Sequence, residues 1–470
     1  MDTLDELARR LPDGAVRTDP QTLSERAIDS WTLALLRRER GDELARPAAV
    51  IYPASTQEVA AVLTWACDTR TAVIPRGGGS GVCGGAEADA GSVVLDLSRM
   101  DKITGVDLAS QVVHVQAGVR GGQLEDTLAG HGLTVGHYPQ SIAASTVGGW
   151  IAASSAGQAS TGFGAIEDVL LGLTAVLAHG EILHCRPVPR SAAGPDLRRL
   201  LVGSEGTLAV VTEATLACRA RPERWEWLGF GFGSFASLAD GLRDARRAET
   251  GAAIIRGYDE TDAQLNFGAI GHGGGCVGLL GFPAGPAGLA DRKRLAAEVL
   301  RRAGATGELS SSYGDHWWGH RNDAVTLYQQ IMGPERSFGT GVLVDTMEVA
   351  GLWSVVPQLH AGISGALAAH AQAVGCHLSH LYPSGSSLYF TFLIRGADDR
   401  DAEARYLAAW DQAVRSCAAV GGTLTHHHGV GRLKSRFLAG ELGETGVDVL
   451  TRIKAALDPA GILNPRVLTP

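Results

Sequence analysis

Three stretches of small residues and one set of titratable side chains carry the chemistry open to this chain. The first stretch is Pro75-Arg76-Gly77-Gly78-Gly79-Ser80-Gly81-Val82-Cys83-Gly84-Gly85. Glycines can take positive φ and turn successive N–H groups into one concavity, which suits a diphosphate. Positions 79–84 match GxGxxG, but a Rossmann fingerprint opens a helix directly, and here AEADAG and the strand-like SVVLDL follow. A P-loop requires Gly-Lys-Ser/Thr, and no lysine is present. A flexible surface loop remains an alternative for this stretch taken alone. The second stretch begins at Gln140 and carries hydroxyls at Ser141, Ser145, Thr146, Ser154 and Ser155, with Gly148, Gly149 and Gly157 among them. The third, Gly203 to Val211, contains Glu205 and Gly206 and leads into a strand. Each alone is compatible with tight packing. Three in one domain call for a large flat ligand.

The later part of the chain offers acids, bases and cations. His426, His427 and His428 stand in a row before Gly429-Val430-Gly431. In an extended segment the middle one would face away from its neighbours. Tyr389 lies in the strand-like SLYFTFLI. A phenol titrates near 10, so as a base it needs a cationic or hydrogen-bonding neighbour, which the histidines could supply; as an ordinary sheet tyrosine it needs none. Arg256, in AAIIRGYD, has a fork suited to carboxylate or phosphate. Its alternative is a surface ion pair with Asp259 or Glu260. His377, His380, Tyr382 and Glu348 complete the candidates. Histidines can ligate zinc, but no required metal is expected.

These residues must be positioned by alternating strands and helices. Residues 48–55 read as a strand, and Ser55 with Glu58 as a capping box. Val59, Val62, Leu63 and Ala66 then share one helical face, and 71–75 is the next strand. Strands are expected at 92–97, 111–118, 169–177, 181–184 and 207–216, with a helix over 120–131. RARPERW (219–225) reads as a boundary. Beyond it strands near 229–235, 252–258 and 276–282 alternate with helices over 236–250 and 290–304. Further on, VLVDTMEVA, CHLSHLYP and SLYFTFLI read as strands, and 351–374 and 401–420 as helices. The expected fold class is α+β, the later part being built on an antiparallel sheet.

Bulk composition narrows the partners. The 62 glycines among 470 residues are about twice the usual share of roughly 7 %. They lack a period, which excludes collagen. A net charge of −9 argues against a nucleic-acid partner. No apolar run nears the roughly 20 residues of a membrane span. The acidic, amphipathic start MDTLDELARR is unlike a signal peptide. Seven dispersed cysteines without CxxC point to a reduced, cytoplasmic protein.

The three small-residue stretches, in this order and spacing, resemble the PCMH-type FAD-binding domain of the vanillyl-alcohol-oxidase superfamily. STVGGWIA, GPDLRRLLVGSEGTLAVVTEATL (194–216), SLYF and HHHGVGRLK (426–434) are similar to the alkyldihydroxyacetonephosphate synthase branch in particular. The resemblance implies a two-subdomain FAD-binding domain with an inserted α+β cap. The corresponding boundaries are an N-terminal helical segment over 1–45, the FAD domain over 46–222 and the cap over 223–425. Residues 426–470 would carry the histidines and return to the FAD domain through DPAGILNP, with Asn464. It implies that 75–81 hold the diphosphate, that 140–146 and 153–156 line diphosphate and isoalloxazine, and that 205–211 contact the adenine–ribose side. Some members link flavin to a loop histidine. Here Gly79-Ser80-Gly81 fills that place, and no cysteine lies between 84 and 184, so FAD is expected to be non-covalent.

The resemblance further implies that Tyr389 is the catalytic acid/base and that Arg256 matches an arginine needed for activity. Glu348 falls on a cap strand facing the site. Two departures stand out. The synthases' phosphate-binding arginine aligns at Gly333-Pro334-Glu335-Arg336-Ser337, where Arg336 serves only with a two-residue shift and Pro334 disturbs a helix. His377 stands where the synthases carry arginine. In the related 2-hydroxy-acid dehydrogenases two histidines and a glutamate bind a divalent ion. His380 survives here, but the glutamate position is His427. The expected activity is an FAD-dependent oxidoreductase acting on a small hydroxylated or hydroxy-acid substrate, its carbon over flavin N5, with an electron acceptor left open. One alternative is a synthase-type exchange of acyl for alkoxy through a flavin adduct. Another is a non-catalytic flavin-binding partner protein. A homodimer is the family default.

Overall fold

The computed structural model describes residues 3–285 and 287–468, and the chain divides into two compact units. The first comprises the chain up to Ala156, Ala165–Arg221 and the part from His427 onward. Its first sheet has the order Val16–Arg17, Ala49–Ile51, Val93–Asp96, Val73–Arg76, the last three parallel. The helix Thr56–Thr69 supplies the crossover. Ser55 caps it by accepting the Glu58 N–H, and Glu58 in turn accepts the Ala54 N–H at 2.9 Å. Val59, Val62, Leu63 and Ala66 are all fully buried on its inner face, each contributing about 1–3 kcal/mol. The second sheet is antiparallel, in the order Ile103–Asp107, Val112–Gln116, Val210–Ala217, Leu170–Val176, Ile182–Cys185. The C-terminal segment joins the first sheet: Leu463 bridges Val73 in parallel, and the Asn464 N–H donates to Val73 O at 2.9 Å.

The second unit comprises residues 157–164 and 222–426. All ladders of its seven-stranded sheet are antiparallel. The order is Gly307–Leu309, Trp225–Phe232, Cys276–Pro283, Ile254–Tyr258, Ala373–Leu381, Gly385–Arg395, Val342–Leu352. Side chains alternate faces along each strand. One face carries Ile255, Leu378, Leu388, Phe390 and Val349, all buried. The helices Phe235–Arg247, Val356–Ala368 and Asp399–Ala419 cover it. Gly257 lets the first of these close in, because a Cβ there would lie 2.5 Å from Leu242 Cδ1. The opposite face mixes the polar side chains of Arg256, Tyr258, His377, Tyr389 and Glu348 with buried Ile254, Val277 and Leu279.

Two local expectations differ, and two helices fall where no element was expected. The helix expected over 351–374 covers only Val356–Ala368, since Ala373–Leu381 is already strand. The histidine trio lies in a run of bends and not an extended segment. Helices Ser312–His320 and Asp323–Met332 fill a stretch whose sequence shows no clear period. Among the described residues no helix is long and apolar enough to cross a membrane.

Candidate cofactor and active site

In the first unit the three small-residue stretches converge. A Cβ on Gly77 would collide with Thr146 Oγ1, and one on Gly78 with the Ala144 carbonyl oxygen. The first loop therefore lies against the second only because it is glycine. The third joins through Gly206 (φ +72), whose Cβ would sit 2.9 Å from Pro75 Cγ, and through the Gly203 and Glu205 N–H groups on the carbonyls of Ile151 and Ala152. Ser30 ties down the glycine loop from behind. Its hydroxyl donates to Gly79 O at 3.1 Å and its N–H to Gly81 O at 2.9 Å. The N–H groups of Gly78, Gly79, Ser80 and Gly81 have no acceptor among the described residues. Four open donors on a fixed turn form an anion nest, which fits the diphosphate of FAD.

Several residues expected to line the cofactor serve the frame of this cradle. Thr146 caps the helix Val147–Ala153 by accepting the Gly149 N–H, and Ser145 Oγ accepts Trp150 Nε1–H at 2.8 Å. Gly148 allows that helix to approach Ala117. Ser141 O accepts the Ala144 and Ser145 N–H groups just after Gln140. Ser154 has φ 52 and donates to Glu167, while Ser155 Oγ bonds His137 Nε2 at 2.9 Å. Burial pushes His137 down to about 3, so it stays neutral. Arg76 is buried and donates to Ile28 O, and Val211 is a core residue of the second sheet. Gly157 lies in the other unit. The Glu205 carboxylate, expected on the adenine–ribose side, instead accepts the Val430 and Gly431 N–H groups at 2.7 and 2.9 Å. Gly429 permits that approach, and burial raises this carboxyl to about 7. Asn464 Nδ2 donates to Gly85 O and Glu205 O, fastening the chain end to two of the stretches.

In the second unit, register alone builds a row across the mixed face of the sheet. Tyr258 lies opposite His377, His377 opposite Tyr389, and Tyr389 opposite Glu348. Arg256, two residues before Tyr258, shares that face. Its guanidinium is 4.9 Å from the Trp317 ring centroid and 5.9 Å from that of Tyr258. Arg256 is 8 % exposed and forms no ion pair among the described residues, and its Nε lacks a partner. The alternative of a surface pair with Asp259 or Glu260 therefore fails: Asp259 caps the next helix and bonds His360. The ring stacked on Tyr389 is His377, with centroids 4.7 Å apart. Burial pushes the Tyr389 phenol up to about 12. It is therefore protonated near pH 7.

Of the trio, His426 belongs to this unit. Its Nε2 bonds the Tyr382 hydroxyl at 2.8 Å, and its ring stacks on His380 at 5.0 Å. Burial lowers its pKa, opposed by Glu348. His380 Nδ1 is 2.6 Å from Ser160 Oγ. Glu348, expected at the substrate, is fully buried and accepts from Thr425 Oγ1 at 2.7 Å and from the His426 N–H, so it positions that segment. His427 and His428 belong to the first unit, their rings 4.6 Å apart. Arg336 is bound to Asp399 at 2.6 Å. His380 and His426 bring ring nitrogens within 4.8 Å of each other, a spacing that suits a shared cation. Sequence reasoning passed over Asp262, which bonds His377 Nδ1 at 2.7 Å.

The convergence of three small-residue stretches in a unit with a mostly parallel and an antiparallel sheet, with a second unit built on one antiparallel sheet, fits an FAD-binding oxidoreductase of the vanillyl-alcohol-oxidase class. The chain belongs to the FAD-linked oxidase family. The model of the FAD binding domain matches residues 47–186, and that of the FAD linked oxidases, C-terminal domain, matches 221–468. An alkyldihydroxyacetonephosphate synthase of Dictyostelium discoideum is 30 % identical over 93 % of this chain and 75 % of its own length. The glycolate oxidase subunit GlcD of Bacillus subtilis is 28 % identical over 89 % and 88 %. A solved alkyldihydroxyacetonephosphate synthase superposes with TM-score 0.80 at 25 % identity, covering 99 % of this chain and 84 % of that one.

Proposed function

We propose that this protein oxidises a small hydroxy acid or similar hydroxylated anion, held through its negative group on Arg256. The supporting observation is the buried guanidinium without a carboxylate partner. An unpaired buried charge costs several kcal/mol, and an anionic ligand would offset that with two parallel hydrogen bonds. The cation–π contact with Trp317 offsets only part of it. FAD, when bound, supplies the acceptor for two electrons and a hydrogen. Tyr389 serves as a neutral hydrogen-bond donor to the reacting oxygen. The similarity to a glycolate oxidase subunit supports this substrate class.

Arg256→Gln is expected to raise KM for carboxylate substrates by about 10- to 100-fold, the worth of one charge-assisted pair. It should leave uncharged alcohols nearly unchanged, and steady-state kinetics on matched acid and alcohol pairs would show it. An equal loss on both would remove the anion site. We also propose that FAD is held without a covalent bond, since the loop offers neither histidine nor cysteine at 77–81. Acid precipitation should leave the flavin in the supernatant; yellow colour in the washed pellet would refute this.

The synthase exchange is the second reading, favoured by the 30 % identity to a synthase. The tie of Arg336 to Asp399 weighs against it, because it leaves that arginine committed within the protein. Product from an acylated dihydroxyacetone phosphate and a fatty alcohol would decide for it.

A further inference from the structure

We propose that His377 is the base that accepts the substrate hydroxyl proton, and that Asp262 is the positioning residue that aims it. This rests on the oxidoreductase reading above and names a residue pair within it. Asp262 is 3 % exposed, and both its oxygens are engaged: Oδ2 with His377 Nδ1 at 2.7 Å, Oδ1 with Asn266 Nδ2 at 3.1 Å. An ionised carboxylate only accepts, so Nδ1 must carry the proton and Nε2 is left with its lone pair. Nε2 has no partner among the described residues, and the imidazole side chain retains 13 % of its surface. The ring lies between Tyr258 and Tyr389, at centroid distances of 5.5 and 4.7 Å. It thus sits beside the neutral phenol and on the strand next to Arg256. Gly375, two residues before His377, makes room for the dyad. A Cβ there would be 3.0 Å from Asp262 Cβ.

The chemistry balances. The substrate O–H bond breaks and its proton passes to His377 Nε2. The C–O bond becomes a carbonyl, and FAD, when bound, would supply the acceptor for the C–H hydrogen and its electron pair. The charged or titratable groups around the imidazole are Asp262 on its helix, Asp259 at that helix start, Arg256 and Tyr258 on one neighbouring strand and Tyr389 on the other. Burial lowers the His377 pKa, Asp262 opposes this, and Arg256 adds to it. The base is therefore neutral at pH 7. The acidic limb of kcat/KM should lie below the ordinary histidine value of about 6.5. Removing the Asp262 charge should move that limb lower still, since an anion favours imidazolium.

The experiment uses the FAD-loaded protein and anaerobic stopped-flow bleaching by a panel of 2-hydroxy acids. His377→Gln should slow flavin reduction about 10²- to 10⁴-fold with KM nearly unchanged. Asp262→Asn and Gly375→Ala should each slow it about 10- to 100-fold and shift the acidic limb downward. On the resting holoprotein, ¹⁵N imidazole NMR should show the Nδ1–H tautomer for His377, lost in Asp262→Asn. Parent-like reduction and pH profile in His377→Gln would overturn this assignment while leaving the functional reading intact. So would an Nε2–H tautomer in the resting protein. No bleaching of the parent by any substrate would overturn both.

Discussion

Gly78→Ala is expected to give a colourless protein. The added Cβ would overlap the carbonyl oxygen of Ala144. That backbone has little freedom to move, because the Ala144 N–H is bonded to Ser141 O and the adjacent Ser145 N–H to the same oxygen. The glycine loop must give way instead. It is pinned from behind by Ser30 at Gly79 and Gly81, so the shift breaks up the nest of four N–H groups. Each N–H···phosphate bond is worth about 1.5–3 kcal/mol. Losing two would weaken FAD binding by roughly 10²- to 10⁴-fold. The absorbance ratio of flavin to protein, and FAD titration by fluorescence quenching, measure this directly. Gly122→Ala is the control, because a Cβ there meets nothing within 4 Å. Full flavin content in Gly78→Ala would place the diphosphate elsewhere.

Tyr389→Phe is expected to keep its flavin and its fold while losing about 10²-fold or more in kcat/KM, as for removal of a proton or hydrogen-bond donor from a reacting group. The ring remains, so its stacking on His377 and its packing survive. With the phenol pushed up to about 12, it is protonated at every working pH. Its loss should therefore lower the whole pH profile evenly and move neither limb. A phenolate base would instead carry a limb of its own, which the phenylalanine would abolish. Rate profiles of parent and variant over the acid to mildly alkaline range separate the two.

Much of the frame was legible in the residues. The helix Thr56–Thr69 was readable because its cap and its buried stripe are local signals, Ser55 with Glu58 and Val59 with Val62, Leu63 and Ala66. The close backbone approach of the glycine loop was readable because so many small residues after a strand suit it. What remained hidden depends on register and on long-range partners. Nothing local shows that Tyr258, His377, Tyr389 and Glu348 form one row, since they lie up to about 130 residues apart in the chain and their strands order themselves only in the sheet. Glu348 and Glu205 looked like ligand contacts and proved to hold backbone N–H groups of distant segments. Asp262 drew no notice in the sequence, and its partner His377 lies 115 positions away. Residues 157–164 group with the cap unit although no change in composition marks them. The hydrogen bonds of Ser160 to His380 and of the Leu381 N–H to Thr161 account for that placement.

The most direct test of the oxidoreductase reading is anaerobic mixing of the FAD-loaded protein with a panel of short 2-hydroxy acids and the matching uncharged alcohols. Bleaching of the flavin band by at least one hydroxy acid, faster than by its alcohol partner and dependent on Arg256, is the predicted result. No bleaching by any member, together with alkyl-ether formation from acylated dihydroxyacetone phosphate and a fatty alcohol, would contradict it.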